Sequence, residues 1–186
     1  LIDNALKEYS QHPLIVNYSV VISDKSVDEI PKLISKTKPI PRGYQRKSQL
    51  NSRYIFDNFI EGKSNQFAKA AALSVADNPG QNPYNPLLIY SSPGLGKTHL
   101  LQAIGNKLIN QNSDMRVVYL TSEKFMLDFI SSIQKNQSTN FISSYRNVDM
   151  LLIDDVQFFQ SKEQTQEQFF HLFNDLFQKG KQIVLT

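Results

Sequence analysis

The sequence predicts an α/β fold built on a parallel sheet with flanking helices, and three stretches carry that prediction. An apolar run, Leu87 to Tyr90, passes through SSPGLGKT (Ser91 to Thr98) into a helical pattern of Leu100, Leu101, Ile104 and Leu108. A second apolar run, Val117 to Leu120, follows that helix, and a third, Met150 to Ile153, ends on Asp154 and Asp155. Strands alternating with helices pair in parallel through right-handed crossovers, and such sheets bind ligands beyond the carboxyl ends of their strands.

The glycine loop is the P-loop (Walker A) pattern with one departure. A loop between strand and helix aims successive backbone N–H groups and a helix N-terminus at one point, which suits phosphate oxygens. Gly94, Leu95, Gly96, Lys97 and Thr98 are therefore expected to hold the phosphates of ATP or ADP, with Lys97 reaching the outer phosphates and the Thr98 hydroxyl meeting Mg²⁺. Ser91 stands where the pattern favours glycine; a left-handed backbone there would cost about 1–2 kcal/mol. The acids after the third strand read as a Walker B pair. Asp154 is expected to hold Mg²⁺ with Thr98, and Asp155 to orient or deprotonate the attacking water, so that Asp155, Asp154 and Lys97 form the candidate catalytic set. A lysine after a turn, or two acids capping a strand, would be unremarkable alone; their pairing makes the nucleotide reading.

Taken from the start, Ile2, Ala5, Leu6 and Tyr9 recur at helical spacing and Leu14 to Ile22 is rich in β-branched residues. Residues 1–23 read as the tail of a small α+β interaction domain, because so short a piece cannot build a core. Residues 24–50 read as a basic, proline-containing flexible linker. From Ile30 to Phe56 there are seven cations (Lys32, Lys36, Lys38, Arg42, Arg46, Lys47, Arg53) and no acid, within a net charge of +3 for all 186 residues. Such a stretch buries too little apolar surface to order itself.

Residues 51–186 read as a partial nucleotide-binding domain. Asn65 to Ala76 has a helical pattern (Phe67, Ala70, Ala71, Val75), and Pro79 to Pro86 is a turn-rich approach to the loop. Helical patterns at Ser122 to Ile133 (Phe125, Phe129 and Ile133 at spacing four) and Thr139 to Arg146 place two helices where a crossover needs one, which predicts an insertion with its own task. Glu163 to Phe177 presents Phe169, Phe170, Phe173, Leu176 and Phe177, read as core packing, and Gln182 to Thr186 opens a fourth strand. The chain begins with Leu1 and stops inside an apolar run, which predicts a piece of a longer protein. Without cysteine there are no disulfides or thiolate metal sites, and no apolar stretch reaches the eighteen or so residues of a membrane span. These features predict a soluble, cytoplasmic protein.

The text NSRYIFDNFIEGKSNQFAKAAA, GLGKTHLLQAIGN, VVYLTSEKF, SSYRNVDMLLIDDVQFF and EQFFHLFNDL closely resembles the bacterial DnaA family of chromosomal replication initiators over Asn51 to Thr186, and the first two dozen residues resemble it more loosely. The resemblance implies an AAA+ ATPase domain in which ATP binding drives assembly at the replication origin and duplex opening, and slow hydrolysis ends that state. It implies that adenine lies against the segment around Phe56, Ile60 and Gly62. It also implies that the doubled helix contacts single-stranded DNA, with Ile130 as an apolar contact and Lys162 compensating for Gln164, which replaces a common basic residue.

Origin DNA, further copies of the protein, the replicative helicase reached through the N-terminal domain and, in the complete protein, acidic phospholipid are the implied partners. The family's sensor, arginine finger, lid and helix-turn-helix domain would follow Thr186, so the resemblance implies a fragment incompetent for hydrolysis with Leu87 to Tyr90 at a sheet edge. The alternatives are an AAA+ helicase loader or initiator-like regulator, a non-catalytic assembly module that Ser91 keeps open, and a P-loop small-substrate kinase.

Overall fold

The computed structural model describes residues 49–186; the expected domain tail at 1–23 and all of the expected linker except its last two residues lie outside the described residues. Four parallel strands, β1 (Leu87–Leu88), β2 (Val117–Thr121), β3 (Met150–Asp154) and β4 (Gln182–Leu185), form one sheet in the order β1-β4-β3-β2. Five helices connect or flank them: α1 (Gln66–Asp77), α2 (Lys97–Gln111), α3 (Ser122–Gln134), α4 (Ser138–Tyr145) and α5 (Glu163–Gln178). Short 3₁₀ turns occupy Phe56–Asn58 and Val156–Phe159. The α/β parallel architecture is as expected, β1 stands at a sheet edge, and the insertion is two separate helices.

Strand β3 explains the layering. All five of its residues are buried, as in a parallel sheet covered on both faces. Side chains alternate across a strand, so Met150 and Leu152 pack with Leu100, Leu101 and Ile104 of α2, while Leu151 and Ile153 join Phe125, Leu172 and Leu176 on the other side. One face of the sheet thus carries α1 and α2, and the other carries α3, α4 and α5. Phe125 is fully buried at the centre of an aromatic cluster, with the rings of Phe141, Tyr145, Phe159 and Phe169 at 5.2 to 6.0 Å from its own. Edge-to-face rings at such distances add about 0.5–1.5 kcal/mol per pair beyond area burial, enough to fix the two inserted helices on the sheet.

Three faces differ from the sequence reading. Helix α1 buries Ala71, Ala72, Val75 and Ala76, leaving Phe67 and Ala70 exposed. Helix α5 buries Leu172 and Leu176, half-buries Phe169 and Phe173, and leaves Phe170 and Phe177 in solvent. On α3, Ile133 is exposed although Phe125 and Phe129 are buried. In each case the apolar stripe is wider than the strip its helix lays on the sheet, and only the docking angle chooses among its members. Strand β1 is also shorter than the apolar run, although the Ile89 N–H still donates to the Leu185 carbonyl at 2.9 Å.

The approach to β1 is fastened by Gln182 at the start of β4, which is fully buried. Its side-chain oxygen accepts from the Gly80 N–H (2.9 Å) and Asn82 Nδ2 (3.0 Å), and its Nε2 donates to the Tyr84 carbonyl (2.9 Å). Gly80 has φ +74°, and a Cβ there would lie 2.2 Å from the Gly180 carbonyl oxygen. Both the handedness and the contact exclude a side chain. Gly80→Ala is expected to lower the unfolding free energy by about 2–4 kcal/mol, measured by urea denaturation.

At the same amino-terminal ends of the strands, Asp149 accepts from the Arg116 backbone N–H (2.9 Å) and pairs with Lys181 (2.8 Å). Burial alone would raise the Asp149 pKa, but these two partners overcome it and hold the carboxyl below its ordinary value of 3.8. A depressed acid contributes stability that is present above the unfolded value and lost as pH falls through the folded one. Asp149→Asn should therefore lose less of its urea midpoint than the parent when pH is lowered from 6 to 3.

Candidate functional site

The register of the sheet brings the glycine loop and the two acids to one edge. Leu88 and Ile153 both pair with Leu185 of β4, so β1 and β3 reach the same level on either side of it. The loop that leaves β1 and the acids that end β3 are thus one strand apart, roughly 10 Å between strand axes.

The loop takes its shape from two left-handed glycines, Gly94 (φ +81°) and Gly96 (φ +87°), the latter being the N-cap of α2. A Cβ on Gly96 would also stand 2.8 Å from the Phe59 ring, so this position has neither the backbone freedom nor the room for another residue. Among the described residues the left-handed non-glycines are Asn136, Asp155 and Ser161. Ser91 and Ser92 are not, and the strain anticipated for a serine at position 91 does not arise. Leu95 is exposed at the tip and Thr98 is half-buried in the first turn of α2. Lys97 lies back along the loop, its Nζ donating to the carbonyls of Ser91 (3.0 Å) and Ser92 (3.4 Å). The next residue, His99, donates from Nε2 to the Ile55 carbonyl (2.8 Å) and packs on the rings of Tyr54 and Phe59. It ties α2 to the segment before α1.

Asp154 is 2 % exposed, and both of its carboxylate oxygens accept hydrogen bonds. Oδ1 accepts from the Thr186 hydroxyl, and Oδ2 from the Tyr119 hydroxyl at 3.0 Å. Burial, reinforced by the Asp154 charge, pushes the Tyr119 phenol well above its ordinary range, so it remains a donor. Asp155 sits in the left-handed region (φ 57°, ψ 52°), which costs a non-glycine residue about 1–2 kcal/mol. Its surroundings hold it there. Its N–H donates to Thr186 Oγ1 (3.0 Å), its carbonyl accepts from Ser122 Oγ (2.6 Å), and Oδ1 accepts from Gln157 Nε2 (2.9 Å). Backbone geometry thus turns two adjacent acids to different tasks: Asp154 inward on the α2 side of the sheet, Asp155 toward the half-exposed rim.

Of the expected base-contacting segment, Phe56 turns into the core with the Lys107 ammonium 5.8 Å from its ring centre, while Ile60 is 88 % exposed and Gly62 is also exposed. Ile130 is exposed on α3, and Lys162 is exposed at the N-cap of α5. Gln164 lines a groove of about 550 Å³ together with Phe129 and Ile133 of α3, Ile142 of α4 and His171 of α5. Tyr119, Ser122 and Thr186 were not evident as site residues from sequence. The available signal was positional: each lies at or near the carboxyl end of a strand of this sheet.

Residues 50–186 match the family model for the bacterial DnaA ATPase domain. A chromosomal replication initiator protein DnaA from Levilactobacillus brevis is 47 % identical over the whole chain, which spans 43 % of that relative. Domain III of the Thermotoga maritima replication initiation protein DnaA superimposes with a TM-score of 0.72 at 50 % identity, covering 74 % of this chain and 57 % of that one. A replication initiator DnaA solved with AMPPCP and single-stranded DNA gives a TM-score of 0.70 at 42 % identity, covering 74 % and 42 %. With the phosphate loop, the paired acids and the doubled helix all in place on a parallel sheet, the chain belongs to the bacterial DnaA ATPase-domain family.

Proposed function

We propose that this chain is the nucleotide-switched part of an initiator of chromosomal replication, in which bound ATP favours assembly at origin DNA and hydrolysis reverses it. The observation that carries this reading is the convergence of the left-handed glycine loop and of Asp154 and Asp155 on one sheet edge. The family match supports the nucleotide, since a similar initiator was solved with AMPPCP.

In this reading the N–H groups around Gly94 to Thr98 receive the phosphates, and Lys97 exchanges the Ser91 and Ser92 carbonyls for phosphate oxygens. That exchange replaces two neutral acceptors with charged ones, and charge-assisted bonds are roughly twice as strong. The Thr98 hydroxyl and Asp154 carboxylate are hard oxygen donors and fit Mg²⁺, which when bound would neutralise charge between the outer phosphates. Asp155 orients the attacking water. Its shorter side chain, one methylene less than the glutamate of faster relatives, keeps hydrolysis slow.

The exposed insertion extends the proposal to DNA. A similar initiator solved with single-stranded DNA supports DNA as a ligand; Ile130 on α3 and Lys162 at the start of α5 would contact it, and self-assembly, the helicase and acidic phospholipid would be further partners. The division into 1–23, 24–50 and 51–186 and a cytoplasmic site of action belong to the same reading.

Titration of fluorescent ATP and ADP with Mg²⁺ tests it. The folded chain should bind, and Lys97→Ala, with circular dichroism unchanged, should weaken binding by at least about tenfold, from the loss of charge-assisted bonds of about 1.5–3 kcal/mol. A folded chain that does not bind would overturn the proposal. Ser91→Gly should change affinity by less than about twofold, because the serine already occupies an ordinary backbone region.

A further inference from the structure

Behind the acids lie buried polar contacts that the nucleotide reading does not use. One of them lies where the described domain starts. The Asn51 N–H donates to the side-chain oxygen of Gln102 on α2 at 2.8 Å, and Gln102 is 5 % exposed. On the strand beneath this helix, the Tyr119 hydroxyl donates to Asp154 Oδ2 at 3.0 Å. On the far side of Asp154, Thr186 donates to Oδ1 and accepts the Asp155 N–H. Asn106, one helical turn beyond Gln102, donates to the carbonyls of Asn51 (2.8 Å) and Tyr54 (2.9 Å). Helix α2 therefore grips the domain's first residues with two amides.

We propose that Tyr119 is a positioning residue for Asp154, fixing the angle at which the metal-facing carboxylate is held. The inference rests on the nucleotide reading of the site. A carboxylate offers about four lone-pair directions, so Asp154 can accept from Tyr119 and Thr186 and still face a hydrated cation. The two protein donors come from opposite neighbouring strands and leave the carboxylate no freedom to rotate. A phenol on a rigid strand suits this role because, with only two side-chain torsions, little freedom remains to be lost when the metal binds. Removing the hydroxyl leaves one buried oxygen without its donor, and the carboxylate is free to turn.

Mg²⁺ dependence separates this role from simple packing. In the full chain, Tyr119→Phe should raise the Mg²⁺ concentration for half-maximal ATP binding about five- to tenfold, while ATP affinity in EDTA stays within twofold of the parent. A folded Tyr119→Phe chain with an unchanged Mg²⁺ midpoint, or with equal losses with and without Mg²⁺, overturns the proposal. Equal losses would mark Tyr119 as a packing residue. Failure of the parent to bind Mg²⁺-ATP at all would instead overturn the nucleotide reading, and this proposal with it.

Discussion

A carboxylate that is almost wholly removed from water is the constraint around which this domain is arranged. The effective cost of burying an unpaired charge is several kcal/mol, so Asp154 at the end of β3 must be met by donors on both sides. Tyr119 supplies one from β2 and Thr186 the other from beyond β4. Only a sheet with β3 between those two strands, in the register that pairs Thr121 with Asp154, can deliver both. Strand order, register and the placement of the acid are thus one requirement.

The same strand joins two layers with different tasks. Met150, Leu152 and Asp154 face the phosphate-loop helix, while Leu151 and Ile153 face the inserted pair α3 and α4 and the helix α5. Ser122, the first residue of α3, is buried and donates to the Asp155 carbonyl. A change in the backbone at Asp155 is therefore felt directly at the N-terminus of the insertion, through one short hydrogen bond rather than through the bulk of the core. Backbone strain is concentrated at the same edge. Gly94, Gly96 and Asp155 are all left-handed, and the non-glycine member is held by Thr186, Ser122 and Gln157.

Much of the site was legible in the chain because its signals are local. A loop of fixed length after an apolar run brings Gly94, Gly96, Lys97 and Thr98 together wherever it sits, and two acids closing a buried strand project from its carboxyl end. The doubled helix could likewise be read from spacing, since each half carries its own apolar repeat. Which side of each helix meets the sheet could not. Phe170 and Leu172 are both apolar and nearly adjacent, yet α5 buries the leucine and exposes the phenylalanine, because two residues apart they point to opposite sides of the helix and tertiary packing takes the Leu172 side.

By itself the sequence determined the parallel α/β class, the order of its elements, the phosphate loop and the paired acids, because each depends on contacts within a few residues or on simple periodicity. Only the tertiary structure decided the sheet order that sets loop and acids one strand apart, the ordinary backbone at Ser91, the burial of Phe56 and the buried hydrogen bonds of Asn51 with Gln102 and of Tyr119 with Asp154. These depend on residues far apart in the chain, such as Asn51 with Gln102 or Tyr119 with Asp154. Hydrogen bonds between distant residues have no period and no motif; they exist only once burial has removed water and left each donor a single acceptor to find.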